Sequence, residues 1–498
     1  MRTILSNHDR RQLEFLELLS KESPISLHRT SERLGYPVRT LAADITQINT
    51  YLAPMQIVTN ASGVTLTIPD DSSFREVYSL ILQQSRETQF LKYLFFHCGQ
   101  TQEEISAALF ISVSTFRRMV RSMKKKLAHH HIELNTAPYC MIGDEEQISQ
   151  LYIALFSELY LDNYGPMNLE EQGMLAELNK RIADEHGYPM NFPDLKRIIL
   201  WTYVRLMRMQ KGHHVEYTLM KEDYISNHVL NDSNLCCRFH EVFGIKLNRD
   251  TLFEMYHTFL RSKYANNLSD INNITMASAY HRQLNTSIQT LLISLAESLG
   301  ITLADTEQLH IDLFNNLQFT DRTPYILYNR NKIFADGFSR EHEHITAIIK
   351  KHITQAFSTP PDENGLNEII YILVSHWPGL IHKIEEKIPV IKIGIFFDSD
   401  IEHAQMIADL IQQYANIRIQ MSVIELCEYD FKGILYPEVD ILITNIPRLE
   451  TKCKKTVCIT EYPTVADWKA IYFTVERTYQ ELLLPLTGLS SIIGPLDS

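Results

Sequence analysis

Six cations fall within twelve residues in the stretch TFRRMVRSMKKK, positions 115–126. Read as a helix, Thr115–Leu127 places Phe116, Val120, Met123 and Leu127 on one apolar stripe. Arg117, Arg121 and Lys124 repeat the same spacing one step on, flanked by Arg118 and Lys125. Cations repeated along one helix face suit the phosphates of a nucleic acid, whose charge dominates duplex affinity. Ser114 and Thr115, outward at the start, stand where base edges could be read. No outward Asn or second Gln accompanies them, so the expectation is a strong backbone grip with modest base specificity.

Imidazoles are the second candidate chemistry. His213 and His214 close a helical stretch rich in Arg and Met, His310 lies in a later amphipathic stretch, and His376 and His382 follow. A metal site wants His or carboxylate groups at i, i+4 or similar spacing, and no H-E-x-x-H occurs. No metal is expected, since adjacent His213 and His214 cannot both point one way. An imidazole nitrogen is a competent phosphoryl acceptor, and a phosphohistidine would be a charge switch rather than a catalyst. The other reading of each is an ordinary hydrogen-bonded histidine.

The elements that must position the cations are legible around them. TQEEISAAL opens with Thr101 and Glu104 in the S/T-x-x-E spacing of a capping box, predicting a short helix over Gln102–Leu109. A tight connection at Phe110-Ile111-Ser112 then leads into the basic helix, which is helix-turn-helix geometry. HIELNTAPYCMIGDEEQI follows as two extended runs around Asn135–Pro138, a wing hairpin. The same plan occurs once earlier. ISLHRTSERLGYPVRTLAADITQIN predicts a helix over Leu27–Leu34, a turn at Gly35-Tyr36-Pro37, and a second helix. That helix is expected to bury Val38, Leu41, Ile45 and Ile48 and to present Arg39, Thr40, Ala43 and Gln47. MQIVTNASGVTLTI turns at Asn60–Gly63 as a second wing.

Bulk properties agree. The 498 residues carry a formal net charge of −13, yet residues 1–142 hold 16 Lys+Arg against 13 Asp+Glu, a net of +3. Any polyanion is therefore expected at the front. A hydrophobic content of 45%, no membrane-length apolar run and no signal-peptide core point to a soluble cytoplasmic protein of several domains. Seven scattered cysteines without a C-x-x-C pair read as reduced thiols.

From about Gln147 to Lys387 the pattern is helical, with amphipathic stretches at Leu169–His186, Leu195–Gln210, Ser287–Leu299 and Leu366–His376. Residues 187–201 and 300–314 resemble each other in their Gly, Leu and late apolar positions, which suggests two helical bundles. After Ile388-Pro389 the periodicity switches. VIKIGIFF, IRIQMSVIEL, VDILITN and TVCIT read as strands of a small, mainly parallel α/β sheet. The loop after its first strand, Phe397-Asp398-Ser399-Asp400, is the usual ligand position. Its two carboxylates would repel phosphate, so a structural or dimerising module is expected.

Tandem helix-turn-helix units, two histidine-bearing helical domains and a terminal α/β domain, in this order, resemble the Mga/AtxA-like regulators of Gram-positive bacteria. The resemblance is strongest in the stretch HIELNTAPYCMIGDEEQI. It implies a multidomain, mainly α fold: winged helix-turn-helix units at 1–69 and 70–146, PRD helical bundles at 147–279 and 280–387, and an EIIB-like α/β domain at 388–498. It further implies a non-enzymatic, cofactor-free transcriptional activator, often virulence-associated, that favours curved promoter DNA and dimerises through the EIIB-like domain. Phosphorylation of PRD histidines by the phosphocarrier protein of the sugar phosphotransferase system would control it, with His213 or His214 in the first bundle and His310 or His376 in the second. Active EIIB proteins carry a phosphorylatable Cys after the first strand; Asp398-Ser399-Asp400 stands there instead. Two alternatives are a phosphotransferase-system component with EIIB-type phosphotransfer, which would need such a group, and an RNA-binding antiterminator, which would need a β-rich front.

Overall fold

The structure is a computed structural model. It describes residues 1–161, 165–185, 192–215, 227–260, 264–300, 306–318, 326–387, 390–414, 418–424, 429–430, 434–435, 438–449, 451 and 453–487. The chain divides into two compact units, Met1–Ala265 with Asp321–Arg330, and Asn266–Thr320 with Asn331–Ser498.

The first unit begins with α1 (Asn7–Glu22), α2 (Leu27–Leu34), α3 (Val38–Ile48) and the hairpin β1 (Gln56–Asn60) and β2 (Gly63–Thr67). The Ser6 and Ser26 hydroxyls accept the backbone N–H groups of Asp9 and Arg29, and Gly35 in the left-handed region (φ +71°) ends α2. The expected first helix is therefore observed as drawn. In the hairpin Asn60 pairs with Gly63. Gly63 sits at φ +131°, and a Cβ there would lie 2.7 Å from the Ile25 carbonyl oxygen, because Ile25 bridges to Val64.

One expectation fails in α3. Leu41 and Ile48 are buried and Ile45 is half-buried, but Val38 is 40% exposed. Val38 follows Pro37 in the first turn of the helix. Asp44 is buried in its stead, because Arg11 of α1 grips its carboxylate through Nε (2.7 Å) and Nη2 (2.9 Å).

The second winged unit comprises α4 (Phe74–Gln84), α5 (Arg86–Phe96), α6 (Gln102–Ala108), α7 (Val113–Ala128), β3 (Ile132–Thr136) and β4 (Tyr139–Gly143). The capping box forms as expected, with Thr101 and Glu104 satisfying each other's amides. Phe116 of α7 packs edge-on against Phe90 of α5, centroids 5.3 Å apart, and against Tyr139 of the wing at 5.3 Å. That aromatic cluster fixes the basic helix to both its support and its wing. The wing leads directly into α8 (Glu145–Leu159), followed by α9 (Leu169–Glu185), α10 (Phe192–Gln210), α11 (Asn227–Asn231), α12 (Ser233–Phe243) and α13 (Arg249–Leu260).

The second unit holds α14 (Leu268–Ala277), α15 (Ala279–Leu299), α16 (Glu307–Leu317), α17 (Arg330–Glu341), α18 (Glu343–Ala356), α19 (Glu363–His376) and α20 (Leu380–Lys387). Helix α14 packs on α15 and α16. The α/β region follows as β5 (Ile391–Phe396), α21 (Ile401–Tyr414), β6 (Ile419–Val423), β7 (Tyr429–Asp430), β8 (Ile434–Leu435), β9 (Ile441–Thr444), β10 (Thr456–Cys458) and α22 (Val465–Thr487). Its four-stranded sheet has the order β10-β9-β5-β6, and every neighbouring pair is parallel. The expected parallel α/β sheet is thus present, with a separate antiparallel pair, β7 and β8. His186, the opening residues of the repeated stretch (187–191 and 301–305), the Ile388-Pro389 boundary and Cys427 lie outside the described residues.

Candidate nucleic-acid interface

Ser112 caps α7, its hydroxyl accepting the Thr115 N–H. Phe116, Met119, Val120, Met123 and Leu127 are buried, whereas Arg117, Arg118, Arg121, Lys124 and Lys125 are exposed along the other side. All five cations thus lie on the solvent side of the helix. Arg117 Nε also donates to Gln102 Oε1 at 2.9 Å, tying α7 to α6. Ser114 is exposed and Thr115 half-buried, and both hydroxyls lie 2.9 Å from the Ser112 hydroxyl.

The sixth cation of the run does something else. Lys126 turns inward, and its Nζ donates to the carbonyls of Ile4 (3.2 Å) and Leu5 (2.9 Å); burial lowers its pKa. Lys126→Met should leave the salt dependence of DNA binding unchanged while lowering stability by about 1–2 kcal/mol, since two carbonyls lose a charged donor. A salt titration beside a urea melt checks both; a flattened salt slope would put Lys126 on DNA.

In the first winged unit Arg39 and Gln47 are exposed and Thr40 is half-buried, with Gln47 Oε1 3.0 Å from His8 Nε2. Arg39 is the one cation that α3 carries. The turn before α7 holds a feature that sequence reading missed. Phe110 adopts φ +52°, a conformation few bulky residues take, and is 94% exposed.

The candidate histidines separate into two kinds. His214 is more than half exposed, and its Nδ1 lies 2.9 Å from Glu254 Oε1 on α13. His376 is exposed, and its Nδ1 lies 2.9 Å from Asp312 Oδ2 on α16. A carboxylate on Nδ1 fixes the ring and its tautomer and leaves Nε2 as the second nitrogen. His213 is half-buried, its Nε2 without a hydrogen-bond partner among the described residues, and burial lowers its pKa. His310 is half-buried against Asn285 (Nε2 to Oδ1, 2.6 Å), and burial lowers its pKa as well. In the α/β domain the loop after β5 is occupied by its own bonds. Asp398 and Asn445 exchange two hydrogen bonds, Ser399 Oγ meets His403 Nδ1 at 2.7 Å, and Asp400 accepts the His403 N–H.

Residues 70–156 match the Mga helix-turn-helix domain. The match covers the second winged unit and most of α8, and the expected resemblance to Mga/AtxA-like regulators holds. A putative trans-acting regulator of Streptococcus pneumoniae serotype 4 (strain ATCC BAA-334 / TIGR4) is 21% identical over 470 residues, 91% of this chain and 94% of that protein. The capsule synthesis positive regulator AcpB of Bacillus anthracis is 21% identical over 490 residues, 94% of this chain and 98% of its own. The capsule synthesis positive regulator AcpA of the same organism is 24% identical over 216 residues, 42% and 44% of the two chains.

The Mga domain runs through the wing and into α8, where it meets a buried charge network that sequence reading also missed. Glu145, the first residue of α8, accepts from Arg208 Nε (2.7 Å) and Nη2 (2.8 Å) and from Arg205 Nη1 (3.1 Å). Arg205 Nη1 also donates to Ser149, and its Nη2 to Glu254 at 2.6 Å. Burial opposes the charge on Arg208, but the hydrogen bonds and charge of Glu145, together with the other groups around it, raise its pKa. Arg208 Nη2 also donates to the carbonyl of Met141 in β4 (3.0 Å). The chain of contacts thus runs from His214 through Glu254, Arg205, Glu145 and Arg208 to the wing. The signal available was two arginines three apart in the otherwise apolar run WTYVRLMRMQ.

Proposed function

We propose that this protein is a DNA-binding transcriptional regulator, an activator that grips curved promoter DNA with little base specificity. The observation that carries the reading is the exposed cationic face of α7 within tandem winged helix-turn-helix units, the second of them matched by the Mga domain. The relatives named as positive or trans-acting regulators support it. The domain scheme of the resemblance goes with it: PRD bundles at 147–279 and 280–387, and an EIIB-like domain at 388–498 serving as the homodimer contact, in a cytoplasmic protein. Exposed Tyr472 and Phe473 on α22 suit such a contact. DNA titrations at several salt concentrations test the reading; no affinity for any duplex at low salt would end it.

Control by the sugar phosphotransferase system is the second part of the proposal. Within each candidate pair, His214 and His376 are favoured, because each is exposed and carries a carboxylate on Nδ1. Incubation with phosphorylated phosphocarrier protein should label the chain at both positions. His214→Ala and His376→Ala should each remove part of the acid-labile label, and the double variant all of it. Full labelling of the double variant would move the sites elsewhere.

A further inference from the structure

We infer that Cys98 and Cys140 are a reversible redox pair that closes into a disulfide across the base of the second wing when the protein meets a hydroperoxide. Cys98 lies just beyond α5 and is exposed; Cys140 lies in β4 and is buried behind it. Between them the chain reverses at Gly99, φ +92°, and the Gly99 N–H donates to the carbonyl of Tyr139 at 3.1 Å. That bond joins the residue after Cys98 to the residue before Cys140 and brings the backbones of the two cysteines together. Burial raises the pKa of Cys140, and the neighbouring Cys98 thiol raises it further. Arg208 and Lys211 stand within charge–charge range of Cys98. Burial lowers the Lys211 ammonium to about 8, and its Nζ donates to the Phe95 carbonyl at the end of α5. Among the described cysteines the adjacent Cys236 and Cys237 lack this arrangement: one is half-buried against the carbonyls of Val229 and Leu230, and the other is exposed.

The chemistry divides by exposure. The Cys98 sulfur attacks the O–O bond of hydrogen peroxide; an S–O bond forms, the O–O bond breaks, and one water leaves. The Cys140 sulfur then attacks the Cys98 sulfur, the S–S bond forms as the S–O bond breaks, and hydroxide leaves with the Cys140 proton as a second water. Two thiols have lost two electrons to one peroxide. A small thiol returns them by exchange, so the pair stays reduced in a reducing compartment until peroxide arrives. The closed ring spans residues 98–140 and therefore encloses α6, α7 and β3, the whole reading head of the Mga domain.

The test uses the full chain, treated with a few equivalents of hydrogen peroxide, then unfolded, alkylated and mapped by mass spectrometry. The alkylatable thiols should fall from seven to five, a Cys98–Cys140 cross-linked peptide pair should appear about 2 Da lighter than its separate parts, and dithiothreitol should reverse both. Cys98→Ser, at an exposed position, should abolish the bridge and leave Cys140 alkylatable only after unfolding. Peroxide treatment that leaves Cys98 as sulfinic acid with Cys140 still a free thiol, or that bridges either cysteine to a different one, overturns the inference.

Discussion

Replacing Arg205 with Ala should destabilise the first unit by roughly 3–5 kcal/mol, more than any single exposed charge in the protein. Arg205 is 2% exposed, and its guanidinium holds two carboxylates from two different helices, Glu145 on α8 and Glu254 on α13. Its removal leaves Glu145 with Arg208 alone, and Glu254 with the Val215 N–H and a His214 ring that lies mostly in solvent. Buried carboxylates that lose a cation keep their desolvation cost, and this uncompensated charge sets the size of the loss. Urea unfolding followed by the tryptophan signal should show a lower midpoint with an unchanged slope. Arg205→Met combined with Glu254→Leu should recover much of the loss, because an apolar pair costs less than a stranded ion. A loss below about 1 kcal/mol in Arg205→Ala would show that water or side-chain rearrangement replaces the pair, and the route from His214 to the wing would be broken.

What the sequence made legible was local. The capping box at Thr101 and Glu104, the helix Leu27–Leu34 ended at its Gly35 turn and the buried stripe of α7 each depend on residues a few positions apart. Periodicity failed where a distant partner decides. Asp44 occupies a core position because Arg11, 33 residues earlier, meets its carboxylate, while Val38 stays 40% exposed. Lys126 reads as one more surface cation until the carbonyls of Ile4 and Leu5 are brought over it. Choosing between His213 and His214, or between His310 and His376, needed Glu254 and Asp312, which lie 40 and 64 residues from the histidines they meet. Long-range carboxylates leave no periodic trace, so the histidines could be paired off from sequence but not ranked.

Arg117→Ala/Arg121→Ala/Lys124→Ala should flatten the plot of log affinity against log salt and weaken binding to straight and curved duplexes alike. Each phosphate contact releases counterions worth about 0.9 in that slope, so three contacts amount to roughly 2.7 per protomer. The structure divides that figure. Arg121 and Lys124 are exposed, whereas Arg117 Nε is spent on Gln102 Oε1 of α6. A change near 1.8 would mean Arg117 keeps its intramolecular bond on DNA, and a change near 2.7 that it swings to phosphate. Arg117→Ala alone separates the two, because only the second case gives it a slope of its own. Thermal stability of the triple variant should be close to the parent's, since the apolar stripe that seats α7 is untouched. An unchanged slope in a folded triple variant would mean the cationic face of α7 is merely solvated. The phosphate grip would then have to come from the first winged unit, where α3 supplies Arg39.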